Sequence, residues 1–336
     1  MSTERHLPSF DELPNFHDFT GCAWGVWGAD DQLGTVNLLT EDVVKRAAQE
    51  EIKLGKTVCL NWPINFPDKP VFGRKIPHVE SKAKGDPVVR DDEIYINTQS
   101  GSQWDGLKHF GIRDHLVFYN NTADESLPKG HFPMPDPNNL DPLVLKLGIH
   151  NWAQHGICGR GVLLDLVKYF TASGSELPYD PWSSHAITVA DLQACAKQEG
   201  VEFRTGDILL LRVGFIQKYY QVKTEERDAL RASRSNERLI DSAGIEQSED
   251  MKRFLWNNHF AAVASDQPAL ERWPPVEGKP HMHQFLLWGM PIGEFFDLEK
   301  LSTVCAEAGR YTFFFSSWPL NVLGGIASPP NAAAYL

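Results

Sequence analysis

Cysteine is scarce in this chain of 336 residues, basic residues are outnumbered by acidic ones, and long apolar runs are missing. Each shortage excludes something. The five cysteines, Cys22, Cys59, Cys158, Cys195 and Cys305, are odd in number, widely spaced and form no Cys-x-x-Cys pair, which argues against a disulfide framework or a zinc ribbon. Cys59 follows Val58 and Cys158 follows Ile157, so both read as small buried side chains, and free thiols fit a reducing compartment. Lys and Arg total 32 against 44 Asp and Glu, a formal charge of −12. That balance suits neither nucleic-acid phosphates nor an anionic membrane surface, and leaves a small molecule as the expected partner. No stretch approaches the ~20 apolar residues that span a bilayer. The opening Met1-Ser-Thr-Glu-Arg-His-Leu-Pro lacks a basic-then-apolar leader pattern, so a cytoplasmic protein is expected. Also missing are a Gly-x-Ser-x-Gly elbow, a Gly-x-Gly-x-x-Gly loop and a P-loop, which removes support for serine-hydrolase, dinucleotide and nucleotide readings.

What is present is an ordinary globular balance: 42% apolar, 11% aromatic and 23% charged residues. A chain this long buries roughly three quarters of its extended surface and needs no staple. No repeat or low-complexity linker divides it. Thr40 reads as an N-cap with Glu41 and Asp42 in the first turn, and Thr57–Trp62 as a strand. Residues 66–92, rich in Pro, Lys and Gly, read as a loop of the kind that forms lids. Gly161–Asp165 and Asp207–Val213 are apolar runs expected as buried strands. Thr188 with Asp191 forms a capping-box pattern opening a helix to about Gln198. Helices follow at Thr224–Arg234, Ser248–Asn257, His283–Trp288 and Leu298–Ala308, with strands at Phe260–Ala264 and Tyr311–Ser316. This alternation is an α/β chain. It divides into an irregular N-terminal arm at 1–35 and a single catalytic domain at 36–336. The arm concentrates Phe10, Phe16, Phe19, Trp24 and Trp27 without periodicity, the composition of an interface, which points to a homodimer.

The segment Ile96–Phe110 carries the chemistry. Gln99, Ser102, Gln103, Asp105 and His109 crowd around Gly101 and Gly106, which let the backbone turn sharply and approach a ligand. On spacing alone it reads equally as a convergent site or as a polar surface loop. Asp165 and Asp207, at strand ends, read as structural, and Asp266 as a residue that could face a pocket. His78, His115 and His131 are loop histidines.

Gly101-Ser-Gln-Trp-Asp-Gly-Leu-Lys-His109 resembles the signature of the cyclase/kynurenine-formamidase family, whose pattern is His-x-Gly-Thr-His-x-Asp-x-Pro-x-His. The likeness extends through Gly159–Asp165, His185–Leu192, Gly206–Leu211, His283–Leu287, Pro291–Glu294, Gly324-Gly325 and Ser328-Pro329. It implies a swivelling β/β/α fold, with a central barrel-like mixed sheet surrounded by helices, and hydrolysis of a small cyclic or aryl amide or ester of lactone, lactam or formamide type. By the same resemblance, His109 is the general acid/base and Asp105 its partner. From their own chemistry, Gln99 and Gln103 are expected to hydrogen-bond the substrate carbonyl, with Ser102 also binding substrate and Trp104 packing beside the site as a wall.

Family members hold zinc or manganese with two histidines and the Asp, but here Gln99 and Gln103 stand at the histidine positions. An amide oxygen is a weak, hard ligand. A hard cation on the Gln oxygens and Asp105, a shifted site of Asp105, His283 (or His281) and Glu294, or no metal at all remain open. The cofactor is therefore one divalent ion (Mn, Mg or Zn) or none. A metal-free cyclase or isomerase of an aromatic or polyketide-like metabolite, and a catalytically silent binding homologue, are the competing readings.

Overall fold

The run Asp-Ile-Leu-Leu-Leu-Arg-Val becomes the strand Ile208–Arg212, every residue of which is buried. A strand with no polar face needs cover on both sides, and it lies at the middle of a nine-stranded sheet. In this computed structural model, residues 7–134, 136–233, 241–276 and 283–336 are described, without the side chains of 87, 231–233, 283, 284 and 286. From edge to edge the strands run Thr57–Cys59, Ala332–Tyr335, Thr312–Ser317, Ile157–Asp165, Ile208–Arg212, Ala262–Ser265, Ile292–Glu294, Gln103–Asp105 and Ala327–Ser328. The four strands from Ile157–Asp165 to Ile292–Glu294 are mutually parallel, and antiparallel strands flank them on both sides. The sheet curls into a half-barrel with helices around it, the fold the resemblance implied.

Alternation along the central strands divides the core. Leu163, Ile208 and Leu210 belong to one cluster, whereas Val162, Leu164, Leu209 and Leu211 belong to another. The helices expected from the sequence form where their caps place them. Thr40 Oγ1 accepts from Val43 N at 3.4 Å and opens Glu41–Glu51. Thr188 and Asp191 complete their capping box at the start of Val189–Gln198.

Two segments differ from the sequence expectation. Where a loop was expected over 66–92, the chain forms a long antiparallel hairpin, His78–Lys84 with Asp86–Tyr95, which runs just past that segment. Its strands are exposed almost throughout, so no apolar alternation marks them. Cross-strand charge pairs supply the register instead: Lys82 lies 2.6 Å from Glu93 and Lys84 2.7 Å from Asp91. The second difference is Gln103–Asp105, expected in a turn-rich loop. It is a short strand paired on both sides, to Ile292–Glu294 and to Ala327–Ser328.

The arm also corrects its assigned role. From residue 7 onward it folds back on its own domain rather than presenting aromatics outward. Phe10 is 3% exposed and meets Trp288 edge-on at 6.4 Å. Trp27 meets Trp256 at 6.1 Å, and the indole N–H groups of Trp256 and Trp288 donate to the carbonyls of Pro8 and Gly21. The missing periodicity reflects a segment that completes another surface's core. Phe10→Ala is therefore expected to lower unfolding free energy by about 3–5 kcal/mol, the usual loss for a buried Phe, in denaturant titration. A loss below about 0.5 kcal/mol would show that the arm is an outward-facing tether.

Candidate functional site

Register assembles the site. Gln103 lies opposite Glu294, Trp104 opposite Gly293 and Asp105 opposite Ile292. Because neighbouring side chains on a strand point to opposite faces, Gln103, Asp105 and Glu294 share one face and Trp104 takes the other. Trp104 is fully buried, donates its indole N–H to Ser317 Oγ at 2.8 Å, and meets Phe296 at 5.0 Å. A Cβ on Gly293 would sit 2.9 Å from the Trp104 ring, so this strand pair closes only with glycine there.

His109 follows one turn later. Gly106 N donates to Ile326 O at 3.1 Å and His109 N to Gly106 O at 3.0 Å, a turn that returns the imidazole towards the strand. A side chain on Gly106 would collide with the Ile326 carbonyl, so that turn also demands glycine. Gln99 enters from the preceding loop, which is held by Asn97: its side chain accepts from Gln99 N at 2.9 Å and its carbonyl from Ser100 N. Arg74 Nη1 donates to the Gln99 carbonyl at 2.5 Å.

The side chains then form one connected set. Gln103 Nε2 donates to Glu294 Oε2 at 2.6 Å and to Asp105 Oδ1 at 3.2 Å. Gln99 Nε2 donates to the same Asp105 oxygen at 3.1 Å and lies 2.6 Å from His109 Nδ1. An amide NH₂ can only donate, so Nδ1 accepts and the ring proton sits on Nε2. That Nε2 is 3.7 Å from Asp105 Oδ2, which is buried and has no hydrogen-bond partner among the described residues. Gln103 Oε1 is likewise buried and without one. Glu294 is only 2% exposed, and its carboxyl is raised well above the ordinary carboxylate range. Burial is the largest cause and the charge of Asp105 the next, opposed by Arg74 and by the Gln103 N–H.

A cavity of about 390 Å³ opens onto this set. Asp105, His109 and Glu294 line it beside Phe72, Phe110 and Trp273, with Arg74 and Arg113 completing its polar lining. Gln99 and Gln103 hold the lining groups from behind. Of the residues expected to bind substrate, Trp104 is committed to the core, and neither it nor Ser102 lines this cavity. Ser102 Oγ donates to Phe295 O and accepts from Trp62 N at 2.8 Å, fastening two chain segments. Asp266 does not face the cavity either: its oxygens accept from Val213 N and Gly214 N at 2.7 and 2.8 Å. Asp165 and Asp207 pair with Arg212 and Arg160, as structural carboxylates do. His115 stacks on His17 at 3.9 Å, and His78 lies on the exposed hairpin. Sequence reasoning missed Phe72, Arg74, Phe110, Arg113 and Trp273. The first two lie in the segment read as a lid, and the next two directly follow the signature.

The donor set does not fit an imidazole-based zinc site. Both histidine positions carry amides whose N–H groups are turned onto the carboxylates a cation would need. Among the described residues no three His, Cys, Asp or Glu side chains gather as metal ligands. Of the shifted trio, Asp105 and Glu294 are joined through Gln103, while the side chain of His283, and His281 altogether, lie outside the described residues.

Glu294 gives the site a pH signature. A carboxyl raised in the folded state binds its proton more tightly there than in the unfolded chain. Its contribution to stability is complete at low pH and is lost as pH climbs from the ordinary carboxylate range towards the raised value. Glu294→Gln removes that titration. Relative to wild type, the variant is expected to gain stability steadily as pH rises above the ordinary carboxylate range in denaturant unfolding. A difference that stays flat with pH would contradict the assignment.

A profile of the family described as putative cyclase matches residues 56–272. The crystal structure of a novel cyclase is 31% identical, with TM-score 0.76, covering 94% of this chain and 99% of the other. Isatin hydrolase A from Labrenzia aggregata, bound to benzyl benzoate, shares the fold at 15% identity and TM-score 0.54, covering 87% of this chain and 97% of its own. An isatin hydrolase bound to the product analogue thioisatinate does so at 14% and 0.54, covering 87% and 95%. No curated protein matches this sequence. Among the described residues no helix is long and apolar enough to cross a membrane. Over most of its length, in profile, identity and fold, this chain belongs to the putative cyclase family.

Proposed function

We propose that the protein hydrolyses a small aryl or cyclic amide or ester, with Asp105 carrying the proton and His109 Nε2–H holding the charge that develops on the carbonyl oxygen. The observation that carries this reading is the facing pair on the cavity wall, Asp105 Oδ2 and His109 Nε2, 3.7 Å apart, with the carboxylate oxygen buried and without a hydrogen-bond partner among the described residues. The fold shared with isatin hydrolases supports a ring-opening hydrolysis, and the aromatic walls Phe72, Phe110 and Trp273 suit a planar substrate.

The steps follow from the protonation pattern. Asp105 Oδ2 accepts a proton from water as its oxygen attacks the substrate carbonyl. His109 Nε2–H hydrogen-bonds the carbonyl oxygen as charge develops, and Asp105 passes the proton it took to the leaving nitrogen or oxygen as the tetrahedral adduct collapses. That transfer returns Asp105 to its ionised form and leaves the His109 ring as it began, so the cycle closes. Gln99 fixes the tautomer this cycle needs. Gln103 holds Asp105 against Glu294, so Asp105 presents Oδ2, the oxygen the amides leave uncovered.

Two measurements test this reading. On a panel of aryl esters, lactones and formanilides, the hydrolysis that wild type shows is expected to fall about 10²–10³-fold in His109→Ala, the span for losing a donor to a developing oxyanion. Circular dichroism should stay unchanged. Activity within about threefold of wild type would remove His109 from the chemistry. Protein dialysed exhaustively is also expected to hold well under one zinc per chain by elemental analysis, because the amides cannot replace two imidazoles. One retained zinc per chain would overturn the donor assignment made for Gln99 and Gln103.

A further inference from the structure

The two arginines on the cavity wall are built alike. The Arg74 guanidinium lies 4.9 Å over the Phe72 ring, and that of Arg113 4.8 Å over the Phe110 ring. Stacking on a ring fixes a guanidinium's plane while leaving its in-plane N–H groups directed outward. Arg74 commits one nitrogen to the Gln99 carbonyl. Arg113, exposed at the same cavity, makes no hydrogen bond or ion pair among the described residues. Nothing in the fold requires a second oriented cation here, in a chain whose net charge is −12.

Taken with the aromatic wall, the geometry points to a ligand that is both aromatic and anionic: we infer that the cavity binds aryl carboxylates, with the ring between Phe72, Phe110 and Trp273 and the carboxylate on Arg74 and Arg113. A carboxylate is favoured over a phosphate monoester because it matches the planar guanidinium fork with one charge. A dianion would lie in a cavity already lined by Asp105 and Glu294. The inference rests on the hydrolase reading for its site. It narrows the substrate to one whose aryl group carries, or releases on hydrolysis, a carboxylate.

Binding rather than turnover tests it. Isothermal titration with benzoate, benzamide, cyclohexanecarboxylate and phenyl phosphate would be run on wild type, Arg113→Gln and Arg113→Lys. Benzoate is expected to bind at least about tenfold more tightly than benzamide, and more tightly than the other two. Arg113→Gln should weaken benzoate about tenfold or more, the scale of a charged hydrogen bond, and leave benzamide unchanged. Arg113→Lys, keeping charge but not the fork, should fall between. Because Arg113 is exposed, the variant is expected to fold, and a thermal unfolding curve matching wild type checks that. Equal binding of benzoate and benzamide, tighter binding of phenyl phosphate, or indifference to Arg113→Gln would each overturn the proposal. Arg113-dependent benzoate binding without hydrolysis on any panel member would instead sink the hydrolase reading and leave this one standing. Hydrolysis of neutral aryl esters without Arg113-dependent benzoate binding would do the reverse.

Discussion

A single amide group organises the site. Gln103 Nε2 lies between Asp105 and Glu294 and donates to both, and without it two buried carboxylates would face each other across a strand pair. Like charges at such range repel strongly in a low-dielectric interior. The amide relieves part of that repulsion, and the upward shift of Glu294 relieves more by favouring its protonated form. Asp105 is left holding two N–H donors on one oxygen while the other turns to the cavity. Gln99 extends the pattern to His109, so one row of amide donors bridges two carboxylates, orients one of them and fixes the tautomer of an imidazole.

That row depends on precise strand placement, and the fold supplies it through buried charge. Arg212, at the end of the central strand, pairs with Asp165 at 2.7 Å and with Glu299 at 2.8 Å. Asp266 accepts from the backbone of Val213 and Gly214 and ties the end of the next strand to the same place. Ionised groups this deep are tolerated because each is paired and hydrogen-bonded. Burial still raises Asp266 to about 7, opposed by those two backbone N–H donors. On the opposite face, Trp104 locks into the core against Gly293. The short strand Gln103–Asp105 is thus gripped by an indole on one side and by amide bridges on the other.

Much of this was legible in the sequence because the relevant signals are local. Apolar runs gave the central strands, and Thr40 and Thr188 gave helix starts through caps that span three residues. Asp105 and His109 stood out because glycines and polar groups converge there. What stayed hidden was set by partners far along the chain. Nothing near Trp104 reveals that a three-residue strand turns it inward, since that follows from pairing with residues almost two hundred positions later. Arg74 and Trp273 reach the cavity from segments without periodicity, and the exposed hairpin shows no alternation because neither face is buried. The arm's aromatics were visible, but whether they covered their own core or another chain's was a matter of the Trp256 and Trp288 surfaces. The glutamines were read as substrate ligands, whereas the Gln103 N–H turns to Glu294 across the sheet and the Gln99 N–H to Asp105 and His109.

The account depends most directly on the protonation state that Gln99 imposes on His109. Long-range ¹H–¹⁵N correlation of the histidine rings, with His109 assigned by comparison with His109→Gln, reads this state without requiring a substrate. At neutral pH the account predicts a neutral ring with an unprotonated Nδ1 and a protonated Nε2. A ring protonated at Nδ1, alone or together with Nε2, would contradict it, because His109 could not then accept the Gln99 N–H.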